Sequence, residues 1–101
     1  MNISSSLSSI QAHETLMNNS AHNIANANTK NFDRVDTQIL EKSLNRTQAV
    51  SSQIDNPNIY SGTNLTKEIT NQILSYHAIG ANSVALKTQD EVAGTILDIK
   101  A

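Results

Sequence analysis

Apolar residues in the first third of the chain fall at Ile3, Leu7, Ile10, Met17, Ala21 and Ile24, in steps of three and four with one slot skipped at Glu14. That spacing lines them along one side of an amphipathic helix, and it predicts a helix over 8–28 whose stripe packs on a partner helix. The Ser-rich start, residues 1–8, is expected to fray and offers Ser4, Ser5 or Ser6 as an N-cap. The pattern ends in Asn28, Thr29 and Asn31, whose short polar side chains compete for nearby backbone groups, and asparagine also tolerates a left-handed turn. A helix stop is expected between Asn28 and Asn31. Asn23 and Asn26 lie on or beside the stripe that carries Ile24, where an amide can hydrogen-bond to a facing helix and fix its register.

A second long pattern, Leu65, Ile69, Tyr76, Ile79, Leu86, Ala93 and Leu97, has Gln72, Ser83 and Asp90 in its intervening slots. It predicts a helix over 64–98, capped by Thr63 or Asn64, with Glu68 placed favourably for the helix dipole. Between the two, Phe32, Val35, Ile39 and Leu44, with Asp33 and Asp36 early and Lys42 and Arg46 late, predict a short helix. From Asn45 to Gly62 the periodicity disappears, and the only proline, Pro57, sits in Asp55-Asn56-Pro57-Asn58, a turn or flexible connector. The chain divides into an N-terminal helix and turn (1–31), a connector (32–62) and a C-terminal helix (63–101). The expected fold class is all-α, with the two long helices pairing as an antiparallel coiled-coil hairpin. Gly80 and Gly94 are expected to let a neighbouring backbone come close.

Composition narrows what such stripes can do. The chain has 101 residues, 38% hydrophobic and 3% aromatic, a thin supply for a globular core. Roughly two-fifths of it is Asn, Gln, Ser and Thr, so the stripes are expected to bury against each other or against other subunits. A net charge of −2 with no Lys/Arg cluster argues against nucleic acid, and no apolar run approaches the ~20 residues of a membrane span. There is no cysteine, which removes disulfides and thiolate chemistry. No basic region followed by an apolar one opens the chain, so a cleaved secretory signal is not expected. His13, His22 and His77 have no carboxylate at one-face spacing, and nothing resembles a nucleophile elbow or a phosphate-binding loop. Neither a metal, a cofactor nor an enzyme activity is expected. Asn2, Asn18, Asn45 and Asn64 open glycosylation-type triplets that this composition produces by chance.

Asn23-Ile24-Ala25-Asn26, then Thr29, then Asn31-Phe32 resembles the N-terminal signature of the bacterial flagellar axial proteins, the rod and hook family, in which N-I-A-N-x-x-T-x-G-[FY] closes the first helix. Leu65 to Glu68, Ala78-Ile79-Gly80-Ala81-Asn82-Ser83, Asp90-Glu91 and Gly94-Thr95-Ile96-Leu97-Asp98-Ile99-Lys100 are similar in order and spacing to that family's closing segment. The resemblance implies terminal helices that pair and stack helically with copies of themselves and with other rod or hook subunits. It also implies delivery to the periplasmic rod of the basal body by the flagellar type III export apparatus, without signal cleavage.

It makes Asn23, Ile24, Ala25, Asn26, Thr29, Asn31 and Phe32 the turn and assembly residues, and Leu65, Ile69, Tyr76, Ile79, Ala81, Asn82, Leu86, Ile96 and Leu97 the packing residues of the C-terminal helix. Phe32 with Val35 resembles the short Phe-x-x-hydrophobic pattern shown to the export gate; the plainer reading of Phe32 is a residue that covers the turn. Three features depart from the family pattern. Asn31 replaces the usual glycine and is expected to keep a positive φ. Tyr76-His77-Ala78-Ile79 replaces Q-R-x-Y, and the usual middle domain is missing, which is most like a minimal, proximal rod subunit. The function expected is therefore a structural subunit of the rod; a small helical adaptor or assembly factor that binds rod or hook subunits is the alternative.

Overall fold

The computed structural model of the chain describes residues 3–43 and 46–100; Leu44 and the side chain of Leu97, both assigned to apolar patterns above, lie outside that description. Four elements follow in order, α1 (Ile3–Ala25), β1 (Val35–Ser43), β2 (Arg46–Gln53) and α2 (Leu65–Lys100). The chain is therefore mixed α/β rather than all-α, and the expected short helix after Phe32 is instead one strand of an antiparallel hairpin. Val35 and Ile39 are four apart and fit a helix face, but they also alternate with Asp36 and Gln38. Val35, Thr37 and Ile39 are all β-branched, which favours the strand. The partner strand runs through what read as a connector, pairing Thr37 with Ser51 and Ile39 with Ala49, and the register shifts between Glu41 and Ser43.

The hairpin lies against α1 and is held there by hydrogen bonds. Ser8 Oγ accepts from the Thr47 N–H at 3.1 Å, and Asn19 Nδ2 donates to Thr37 Oγ1 and Ser51 Oγ, both at 2.8 Å. Because Ser8 is so used, and its hydroxyl also donates to the Ser5 carbonyl, the Ser-rich start is part of α1 and not a frayed lead-in.

On a different side of α1 lies α2, running antiparallel: Ser20 meets Glu68, the Met17 carbonyl accepts from Gln72 at 2.9 Å, and Asn82 donates to Ser9 Oγ at 3.0 Å. The buried residues of α1 are Ser6, Ala12, Leu16, Ser20 and Asn23, and those of α2 are Glu68 and Ser75. Ala12 and Leu16 are the only buried apolar residues among those described. The seam is thus small and polar, where the apolar spacing had put it on the stripe from Ile3 to Ile24 against the stripe from Leu65 to Leu97. The hydroxyls of Ser6 and Ser75 are buried in it with no hydrogen-bond partner among the described residues. At 1.5 Å per residue α2 is about 54 Å long and α1 about 34 Å. Ile3 lies beside Leu86 and Asp90, so the last turns of α2 extend past the start of α1, and the molecule is elongated, 66 × 22 × 15 Å.

Candidate functional site

The N-I-A-N stretch meets the start of β1 and the first turns of α2 at one corner. Asn23 is fully buried. Its Oδ1 accepts from the Val35 N–H at 3.0 Å, and its Nδ2 donates to the Val35 carbonyl at 2.8 Å and to Glu68 Oε2 at 3.1 Å. One face of the amide therefore pairs with the open edge of β1 as a neighbouring strand's peptide would, while the second amide proton reaches α2. Glu68 is only 2% exposed. Ser20 Oγ donates to the Glu68 carbonyl at 2.9 Å, and Thr63 Oγ1 donates to the Asn23 carbonyl at 2.7 Å. Asn64 caps α2, its Oδ1 accepting from the Lys67 N–H.

Sequence reasoning put an amide of α1 opposite a facing helix but missed the partner, reading Glu68 only as an acid favourable to the helix dipole. The signal lay in Glu68, Ser75 and Asn82, seven apart, a polar series beside the apolar one.

The rest of the motif ends the helix. Asn26 Nδ2 donates to the His22 carbonyl at 2.9 Å, and its Oδ1 accepts from Thr29 Oγ1 at 2.9 Å. These bonds satisfy groups that the last turn leaves free, and α1 stops at Ala25, short of the expected Asn28. Phe32 packs edge-on to His22 with ring centroids 5.5 Å apart. Ile24, Phe32 and Val35 are half-buried and Ala25 is exposed.

The Asp55–Asn58 segment is an ordered closure of this turn and not a slack connector. Asn56 accepts from the Asn58 N–H, donates its own N–H to Asp33, and donates through Nδ2 to the carbonyls of Phe32 and Tyr60. Ser61 Oγ donates to the Asn26 carbonyl at 2.7 Å. Gly62 donates its N–H to the Phe32 carbonyl at 2.9 Å, and a Cβ there would stand 3.0 Å from that oxygen, so any other side chain would make the carbonyl give by a few tenths of an ångström.

Asn31 has φ 58°, with its N–H on the Ile59 carbonyl at 2.9 Å. The left-handed conformation is cheap for Gly, tolerable for Asn and worst for a β-branched residue. Asn31→Gly is expected to leave the thermal midpoint level or raise it, and Asn31→Val to lower stability by about 1–2 kcal/mol. Equal midpoints for the two variants, by circular dichroism, would show that the turn does not depend on this φ.

A charged cluster flanks the corner. Asp36 Oδ1 lies 3.1 Å from Arg34 Nε and 3.1 Å from Lys67 Nζ, tying β1 to α2. Partial burial pushes the Asp36 pKa up, but the hydrogen bonds and charges of Arg34 and Lys67 outweigh it, and the net value is below the ordinary 3.8. A carboxylate with a lowered folded pKa stabilises the fold at pH above its unfolded value, and loses that contribution as pH falls through the folded one. The pairs are partly exposed, so the gain is about 1 kcal/mol or less. Asp36→Asn is expected to lower the urea midpoint at pH 7, and the gap to the unaltered chain should close below pH 3.8. A gap that persists in acid would mean that the carboxylate's charge is not what matters.

The third feature is an apolar face. On both helices the apolar residue stands one position after a seam residue, as in Ser9–Ile10, Leu16–Met17, Glu68–Ile69 and Ser75–Tyr76, about 100° further round. Because the helices are antiparallel, that rotation carries both stripes to the same side of the pair, away from the hairpin. Leu65, Ile69, Tyr76 and Ile96 are about half or more exposed, and Ala81 is exposed; Ile79, Asn82 and Leu86 are half-buried. Between the stripes runs a groove of successive open clefts. One, of about 410 Å³, is lined by Met17, Ile73 and Tyr76; the next, of about 610 Å³, by Met17, Tyr76, Ile79 and Gly80. A third lies between Ile3 and Leu86.

Among the described residues, no three His, Cys, Asp or Glu side chains gather as metal ligands, and no helix is long and apolar enough to cross a membrane. Comparison of the sequence with family models and with curated proteins finds no match.

Proposed function

We propose that the chain is a structural subunit of the bacterial flagellar basal-body rod. It self-assembles, and joins other rod or hook subunits, through its N- and C-terminal helices after export by the flagellar type III apparatus. The observation that carries this reading is the outward position of both apolar stripes. The monomer closes on a small polar seam and leaves its larger aliphatic side chains to solvent. On α2, Leu65, Ile69, Ile73 and Tyr76 share one side and are each about half or more exposed, a contiguous apolar patch of the size that marks an interaction site. A soluble monomer rarely leaves so much apolar surface open. From Ile69 to Leu86 no residue is charged, and before Lys30 only Glu14 is, so burying these helices among neighbours desolvates few charges.

The resemblance of both terminal segments to the axial family supplies the identity of the assembly. Deleting the gene should abolish motility, and quantitative mass spectrometry of purified basal bodies should find several copies per rod. Retention in the cell body with none in basal bodies would overturn the reading.

A further inference from the structure

The hairpin has one strand edge that the rest of the chain leaves open. In an antiparallel pair the backbone groups of alternate residues point inward to the other strand and outward from it. Ile54 donates inward to the Arg34 carbonyl, and the register runs on from Val35↔Gln53 to Glu41↔Thr47, so the odd-numbered residues of both strands turn their N–H and C=O outward. Hydrogen bonds from α1 agree: Asn23 takes both outward groups of Val35 on β1, and Ser8 Oγ takes the outward N–H of Thr47 on β2. The β1 edge is screened further. Lys67 of α2 reaches it, and the strand carries Asp36, Glu41 and Lys42, charges of the kind that keep an edge from adding another strand. On β2 the outward groups of Ala49, Ser51 and Gln53 have no partner among the described residues. From Thr47 to Ile54 there is no charge, glycine or proline.

Beneath this edge α1 has a face that nothing covers. Measured round the helix at about 100° per residue, Asn19 faces the hairpin and Ser9 and Ser20 lie about 80–100° to one side, toward α2. Gln11, Thr15 and Asn18 lie about 40–100° to the other side, and all three are exposed and uncharged. Ser8 is on that flank and bonds β2, so this is the side of the β2 edge.

We propose that this face, the β2 edge with Gln11, Thr15 and Asn18 below it, is a dimer surface that receives the same face of a second copy. Identical edges join antiparallel about a two-fold axis, here at Val50. Ala49 of each copy then exchanges both hydrogen bonds with Ser51 of the other, and the Gln53 N–H reaches the Thr47 carbonyl. Val50 is the apolar side chain on the outer face of β2, 40% exposed, and at the axis it meets its own counterpart in a close, non-hydrogen-bonded pair. Between the Ser8–Thr47 and Asn19–Ser51 bonds, Val50 stands over the turn of α1 that holds Thr15. With strands about 4.8 Å apart, two hairpins joined in this way, each centred on its own α1, set the two α1 helices about 10 Å apart on one face, a distance at which helices pack. An extended peptide would satisfy the edge alone; a second copy also brings a helix to cover Gln11, Thr15 and Asn18. No charge is buried in either layer, and the α1–α2 seam already pairs helices of this chain through small polar side chains. The face is about 30 Å long and about 15 Å high, so the pair covers about 1,000 Å² in total, at the low end of specific interfaces. Such a dimer is closed and comes apart on dilution. It uses neither the groove nor the apolar stripes, and it is independent of the rod reading.

The chain has no cysteine, so a single Val50→Cys in the full-length protein tests the axis. Under mild glutathione oxidation of the concentrated protein it should form a covalent dimer at least about tenfold faster than Gln48→Cys or Ser52→Cys, whose own counterparts stand about 13 Å away, beyond disulfide reach. Those two variants, mixed, should join to each other, because position 48 of one copy faces position 52 of the other. Thr15→Glu in the Val50→Cys background should remove the rate advantage without altering the circular dichroism of the monomer, since it sets two carboxylates against each other near the axis. Tyr60→Cys, 76% exposed, gives the rate of random encounter. A Val50→Cys chain no faster than Tyr60→Cys, mixed chains that do not join through 48 and 52, a rate untouched by Thr15→Glu, or an unaltered chain that sediments as a monomer at every concentration would each overturn the proposal.

Discussion

Asn23→Leu is expected to destabilise the chain by about 3 kcal/mol or more, the largest effect of any single substitution at the corner. Three hydrogen bonds disappear together. The groups they satisfied stay where they were: the N–H and carbonyl of Val35 at a strand edge, and a carboxylate that is 2% exposed. A buried acceptor stripped of its donor costs its desolvation energy, while removing both partners costs far less. Glu68→Leu in the Asn23→Leu background should therefore recover part of the loss, and Glu68→Gln alone should be mild because its amide oxygen still accepts. Urea unfolding of the four chains, followed by circular dichroism, measures the coupling. Additive effects would mean that Asn23 and Glu68 act separately. With only Ala12 and Leu16 as buried apolar residues among those described, the monomer has little reserve, and Asn23→Leu should be largely unfolded at 37 °C.

The second large effect runs against ordinary core logic. Ile69→Lys combined with Tyr76→Lys puts two charges on the apolar stripe, where both side chains are more than half exposed. Unfolding of the monomer should move by no more than about 0.5 kcal/mol per site, as for other surface changes. Motility and recovery of the protein in basal bodies should nevertheless be lost, since the same positions are then expected to be buried and unpaired. Leu16→Lys is the contrast, a charge at a buried position that should unfold the monomer itself. If the doubly charged chain swims normally, the stripe is not an assembly surface.

How far these features could be read in advance differs by element. Both long helices follow from their three/four spacing, and the left-handed turn follows from Asn31 standing where the family pattern has glycine. The hairpin did not follow. Val35 and Ile39 satisfy a helical and a two-residue period alike, and β2, Arg-Thr-Gln-Ala-Val-Ser-Ser-Gln, packs its Thr47 and Ala49 toward α1 with little apolar contrast. Pairing between strands settles that ambiguity, and pairing is not local. The seam was also misassigned, because hydrophobic spacing identifies the stripe that avoids water without saying in whose company. Here the monomer pairs its helices through Ser, Ala and Asn. Asn23 was recognisable as a cross-helix amide, but its clamp on Val35 depended on a strand that had not been foreseen.

The corner also times folding. Asn23 and Glu68 are 45 residues apart, and the clamp on Val35 shares the same amide. A chain synthesised from its N-terminus presents Asn23 long before its partner, so this junction cannot close until about two-thirds of the chain has been made. Contacts of such separation close a long loop before they contribute stability. Until then α1 has no fixed register against α2, and its long-range contacts are those with the hairpin. Arrival of the first turns of α2, rather than the start of the chain, is the event that sets the shape of the helix pair.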